Sequence, residues 1–290
     1  MPHRTTPSHR TTGTRSTPPR HRGLRAQRGL LPAVGLAAAV LALAGCGLIG
    51  SSSAASGTGT ATADATATGT AGSSATTADA VRARGTALTV GDLTVQVLVA
   101  DGAPQPTSAV DEDGATTLTV TTGADGTALL IAPPPGVTVE ELADGTVVLR
   151  ADGTFTAGIT ATALDGAFTP ASAVQDDGLV VWSGDAGTGV AVTIATAAVR
   201  SATWADRDDE GGLSLAVVPT TWARTGGLAA DEGVWAQLIA LEPDADTQAM
   251  HDQLTCHTIG APDKDSWNLE PWRPDVGLLA TIAALCNPSD

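Results

Sequence analysis

Residues 144–154 read Asp144-Gly145-Thr146-Val147-Val148-Leu149-Arg150-Ala151-Asp152-Gly153-Thr154. An apolar run rich in β-branched residues lies between two Asp-Gly pairs. Asp-Gly supplies the positive φ angles that tight hairpin turns need, so the stretch reads as one strand between two turns. The same signal recurs at Asp101, Asp113, Asp125, Asp165 and Asp177, each followed by glycine. Apolar, β-branched runs lie between these turns at 93–99, 117–120, 129–131 and 179–182. Leu93-Thr94-Val95-Gln96-Val97 alternates apolar and polar, as a half-buried strand does. Regular turns and short strands predict an antiparallel meander, in a sandwich or an open barrel. Pro133-Pro134-Pro135-Gly136 must break a ladder or lie at an edge. Residues 192–204 and 213–218 predict one more hairpin, turning through 206–212.

The texture changes after Pro219. Val234, Trp235, Leu238 and Leu241 stand at helical spacing over 230–241, and Glu242-Pro243 ends that helix. Met250 and Leu254 mark a second helix over 246–256. Pro274-Asp275 predicts a third helix start, with Leu278, Leu279, Ile282 and Leu285 on one face. The fold class is therefore α+β. An antiparallel β-rich region precedes a small helical C-terminal domain.

The N-terminus carries an address. Residues 1–28 hold seven arginines and no acid, and an apolar run follows over 30–44. Leu43-Ala44-Gly45-Cys46 closes that run. The order basic, apolar, small, cysteine is that of a bacterial lipoprotein signal. It predicts removal of residues 1–45, lipid on the Cys46 sulfur, and a protein anchored on the outer face of the cell membrane. Residues 51–80 are Ser, Thr, Ala or Gly except Asp64 and Asp79. Such a segment buries too little apolar surface to offset chain entropy, so 46–84 reads as a flexible tether.

Removing the seven leader arginines takes the formal charge from −16 to −23. That excludes nucleic acid as a partner, because its binders need a basic surface. It suits solubility beside a membrane. Export also changes how the cysteines count. With Cys46 lipidated, Cys256 and Cys286 remain as a pair in an oxidising compartment, and a disulfide between them is predicted.

Chemistry-bearing residues concentrate in Trp267-Asn268-Leu269-Glu270-Pro271-Trp272-Arg273-Pro274. Glu270 and Arg273 each precede a proline, which favours extended backbone. Two indoles, a carboxylate and a guanidinium are thus held on a stiff segment inside the disulfide loop. One reading is a ligand patch of Trp267, Glu270, Trp272 and Arg273, with His257 beside Cys256. The other is a proline-locked loop closed by a Glu270–Arg273 pair. His251 and His257 are six apart and do not share a helix face, so they make a poor metal pair. No Gly-x-Ser-x-Gly elbow marks a nucleophile, and Gly184-Asp185-Ala186-Gly187-Thr188-Gly189 lacks the Lys-Ser/Thr of a phosphate loop. No catalytic residue, cofactor or metal is assigned.

Several of these residues carry a resemblance. Pro219-Thr220, Trp222-Ala223-Arg224, Trp235, Gln253, Cys256-His257, the 267–274 string and Cys286-Asn287-Pro288 resemble a family of unknown function found in secreted actinobacterial proteins, often lipoproteins. The resemblance covers about 212–289. It implies a distinct C-terminal domain, the disulfide and export, and it implies no activity. The domains are then 1–45 signal peptide, 46–84 tether, 85–211 β-rich region and 212–290 C-terminal domain. The leading expectation is a non-enzymatic envelope module that binds an envelope protein or a small molecule. The alternatives are an envelope hydrolase using His257 and a carboxylate, and a structural spacer.

Overall fold

Asp152-Gly153 shows how local chemistry sets the fold. Both residues take positive φ, 50° and 78°, and Ala151 pairs directly with Thr154. This is the two-residue hairpin turn whose twist matches its strands. The other Asp-Gly turns are wider. At Asp125, Asp144 and Asp177 the glycine alone takes positive φ. The aspartate instead accepts a hydrogen bond from the N–H two residues on, at 2.9, 3.0 and 3.2 Å. An aspartate that can bond forward in this way need not enter the left-handed region itself.

The computed structural model describes residues 76–207 and 211–289. The signal segment, Cys46 and the tether up to residue 75 lie outside the described residues, as do 208–210 and 290. In chain order the elements are α1 (Ala78–Arg84), β1 (Thr86–Val90), β2 (Leu93–Val99), β3 (Thr107–Val110), β4 (Thr116–Thr121), β5 (Thr127–Ala132) and β6 (Val137–Glu141). Next come β7 (Val147–Ala151), β8 (Thr154–Ala163), β9 (Ala171–Val174), β10 (Val180–Ser183) and β11 (Gly189–Ala195). The chain ends with β12 (Val199–Arg207), β13 (Gly212–Pro219), α2 (Gly227–Leu241), α3 (Gln248–Gly260), β14 (Trp267–Leu269) and α4 (Leu278–Ala283).

The β-rich region is an antiparallel sandwich. One sheet has the order β1-β2-β5-β10-β9, the other β3-β4-β11-β8-β7-β6. Strands pass from sheet to sheet, so the order is not that of a simple meander. Pro133 to Pro135 lie where the chain leaves β5 for β6 in the opposite sheet. Alternation along β2 sends Leu93, Val95 and Val97 into the shared core with Leu129, Ile131, Leu149, Ile159, Trp182 and Val192.

Each sheet also buries part of its outer face. Ala78 and Val81 of α1 pack on Leu130, Ala132 and Leu179. This corrects the extent of the tether. Residues 78–84 are a helix, capped by Thr77 and held by Ala78 N–H donating to Asp177 at 2.6 Å. An Ala-rich run with one valine is too short to show a packing face in sequence.

The six-stranded sheet carries the C-terminal elements. Trp222 lies across β8 at Gly158, where a Cβ would stand 2.3 Å from the indole ring. The start of α2 sits on the β6–β7 turn. Asp144 Oδ2 accepts from Leu228 N–H at 2.7 Å and Thr146 Oγ1 from Ala229 N–H at 3.1 Å, capping the helix. Gln237 of α2 accepts from Ala198 N–H at 2.8 Å and donates to Thr196 at 2.7 Å. That bond pair stabilises the bend that splits the expected strand over 192–204. Its first part is β11 in the sandwich. Its second is β12, which pairs with β13 in a separate three-stranded sheet, β12-β13-β14.

The two long helices stand where their periodicity puts them. The third starts at Leu278 rather than Pro274, because Gly277 takes φ 78° and breaks the run. Cys256 and Cys286 are disulfide-bonded, with Cα atoms 5.5 Å apart. The bridge ties α3 to the turn after α4. Within the loop it closes, 267–269 pairs with β13 as a third strand.

Candidate functional site

The 267–274 string packs inward. Trp267 is fully buried and donates its indole N–H to Ala261 O at 3.0 Å. Arg224 lies over its ring, 5.8 Å from the centroid. Glu270 is buried and paired with Arg273, which also donates to Pro288 O at 3.1 Å. Arg273 stands 4.4 Å from the centroid of Trp272. Trp272 in turn packs on Gly211, where a Cβ would come within 3.1 Å of the indole. His257 is buried, with Nε2 3.1 Å from Asn268 O. Burial holds its pKa below the ordinary histidine value, against the opposite pull of the Asn268 carbonyl. The five residues do come together, but around one another. Of the five, only Trp272 is exposed.

A cleft lies elsewhere, between α2 and α3. On α2 the spacing of three and four puts Leu228, Asp231, Glu232, Trp235, Ala236 and Ile239 along one stripe. The opposite stripe, with Ala230, Val234 and Leu238, is buried in the core beneath. On α3 the same periodicity lines up His251, Leu254, Thr255 and Thr258. Leu142 and Arg150 close the cleft from the sandwich side. The space is about 480 Å³, in the range of small-molecule sites, and its floor is apolar.

Polar groups are few and placed. Trp235 and His251 meet edge to face, with ring centroids 4.6 Å apart. Arg150 is paired with Glu232 of α2, and reaches Glu140 at 3.4 Å. Asp231 is half-buried among apolar side chains. Burial pushes its carboxyl above the ordinary carboxylate range, and the nearby Asp144 pushes the same way. The Thr258 hydroxyl, which donates to Thr255 O at 2.9 Å, and the nearby His251 only partly oppose them.

A second groove, of about 430 Å³, lies where the sandwich meets the C-terminal elements and is lined by threonines. Both of its carboxylates serve the fold. Asp144 caps α2, and Asp111 accepts from Asp113 and Ala115 N–H groups. The α2–α3 cleft is therefore the stronger candidate. Among the described residues no three of His, Cys, Asp and Glu group as a metal site would require.

Asp231 links stability to pH. Its pKa is raised by folding, so its contribution to stability is complete in acid and is lost as pH rises through the folded pKa. Asp231→Asn is expected to raise the urea midpoint at neutral pH and to leave no gain below the carboxylate range. A lower midpoint at neutral pH would mean that a partner holds the carboxylate ionised.

In sequence Asp231 carries no motif, His251 stands out only as a poor metal partner of His257, and Trp235 reads as one of the apolar positions of α2. The signal was present as an acid inside the apolar stripe of α2. His251 and His257 do face different sides of α3, as a spacing of six requires.

Fold and cleft together define an α+β protein, a β-sandwich followed by a disulfide-closed C-terminal segment that carries an open cleft. The chain belongs to the family described as "Protein of unknown function (DUF2599)", whose profile matches residues 199–289. An uncharacterized protein of Mycobacterium tuberculosis (strain ATCC 25618 / H37Rv) is 46% identical over 83 residues, 26% of this chain and 56% of that protein. This chain thus spans little more than half the length of that relative. An uncharacterized protein of Mycobacterium leprae (strain TN) is 39% identical over 84 residues, 26% of this chain and 68% of that protein. No solved structure matches the chain. Leu142 and Arg150 apart, every residue lining the cleft falls within the family match.

Proposed function

We propose that this protein is an exported, lipid-anchored module of the cell envelope that binds a small amphiphilic ligand in the α2–α3 cleft. The observation that carries the binding role is the cleft itself, an apolar floor with a few convergent polar groups between two helices of the family domain. Support for the anchor is the order of the N-terminus, from arginines through an apolar run to Leu43-Ala44-Gly45-Cys46. Among the described residues no helix is long and apolar enough to cross a membrane. In this reading the lipid on Cys46 holds the chain to the outer face, and the Ser/Thr/Ala/Gly tether gives the folded part reach.

Ala236 lines the cleft and offers the test. Ala236→Phe fills the space without altering charge. The unaltered chain is expected to brighten a solvatochromic apolar dye saturably, and Ala236→Phe to abolish that signal with unfolding unchanged. Equal dye binding by both would place the apolar site elsewhere. For the anchor, Cys46→Ala is expected to release the protein from the membrane fraction; retention there would refute lipidation at Cys46.

A further inference from the structure

The charges around the cleft say more about its ligand. We infer that the α2–α3 cleft takes a small organic cation, an ammonium group carried on an apolar body. The inference rests on the binding role given above and adds the sign of the ligand.

Three observations converge. First, the one guanidinium in the wall is already committed. Arg150 faces two carboxylates, Glu232 and Glu140, so an incoming anion would have to compete with both. Second, the carboxylate that remains is Asp231, which lines the cleft with Leu228, Trp235 and Thr258, the Thr258 hydroxyl being donated to Thr255 O at 2.9 Å. The His251 imidazole is near it, Arg150 is taken, and no other basic side chain lines the cleft, so an ammonium group there supplies a full counter-charge. Asp144 adds a second negative charge near it. Third, Trp235 lines the same space, and an indole face attracts ammonium groups, more strongly once water is displaced.

The rest of the ligand follows from the walls. Leu142, Leu228, Ile239 and Leu254 give an apolar lining, so the body of the cation is hydrocarbon or aromatic rather than a sugar. The overall charge of −16, more negative still without the leader, favours the approach of a cation over an anion.

The test uses three probes of nearly one shape and different charge, phenylethylammonium, phenylethanol and phenylacetate, titrated calorimetrically into the purified full chain. The cation is expected to bind at least about tenfold more tightly than the alcohol, and phenylacetate more weakly than either. Asp231→Asn is expected to remove the preference of cation over alcohol while binding of the alcohol persists. Equal binding of the three would overturn the cation inference and leave the apolar cleft standing. Preference for phenylacetate would overturn it in sign. Binding of none would remove the binding role of the cleft along with the inference. The comparison on the unaltered chain decides the matter even where a variant folds poorly.

Discussion

Glu270→Ala is expected to destabilise the protein by about 3–5 kcal/mol, as breaking a buried ion pair does. Glu270 is 4% exposed, and its carboxylate pairs with Arg273. Gln253 holds the backbone on either side of that carboxylate. It accepts from Glu270 N–H at 2.9 Å and donates to Glu270 O at 3.0 Å. The loop therefore keeps its course in the variant, and the guanidinium stays inside without its carboxylate. One bond to Pro288 O and the Trp272 ring are poor substitutes for that charge. Removing both partners should be milder, since no charge is then left buried. Glu270→Ala combined with Arg273→Met is expected to recover part of the loss in urea unfolding. A cost of about 1 kcal/mol or less for Glu270→Ala would show that the pair behaves as an exposed one.

Replacing Cys256 and Cys286 together by serine is expected to cost about 3–4 kcal/mol on the loop-entropy account. The two cysteines are 30 residues apart in sequence. The segment they enclose has little else to hold its far end. In and beside α4, Leu279 and Leu285 are 84% and 82% exposed, and only Thr281 of that helix is buried. A helix of six residues does not persist alone in water. The variant should therefore lose protection of the α4 amides in hydrogen exchange, while α2 keeps its protection through Gln237 and the Asp144–Thr146 cap. A urea midpoint unchanged by the double replacement, or by reducing agent, would contradict this account.

Much of the architecture was legible because its causes are local. Asp-Gly turns mark the hairpins whether the aspartate enters the left-handed region, as at Asp152, or bonds forward, as at Asp144. The spacing of Val234, Trp235 and Leu238 is enough to show α2. What escaped the reading depends on distant partners. Residues 192–204 look like one strand until Gln237 is seen supporting the bend at 196–198. Trp267-Asn268-Leu269 becomes a strand only because β13 offers an edge. The same pairing decides the fate of the tryptophan–proline string. The residues fall into one cluster, as their sequence suggests, but strand pairing and the Arg273 contact turn that cluster inward. The cleft was hidden for a related reason. Asp231 and His251 are remote in sequence, and only the packing of α2 beside α3 brings them to one space.

The binding cleft is the central claim, and heteronuclear NMR of the titration with phenylethylammonium tests it most directly. The indole N–H of Trp235 and the amides of Asp231 and His251 are expected to shift together and saturably, with the Trp267 and Trp272 indoles unmoved. Shifts centred on Trp272 and Arg273, with α2 and α3 silent, would contradict the account and return the site to the disulfide loop.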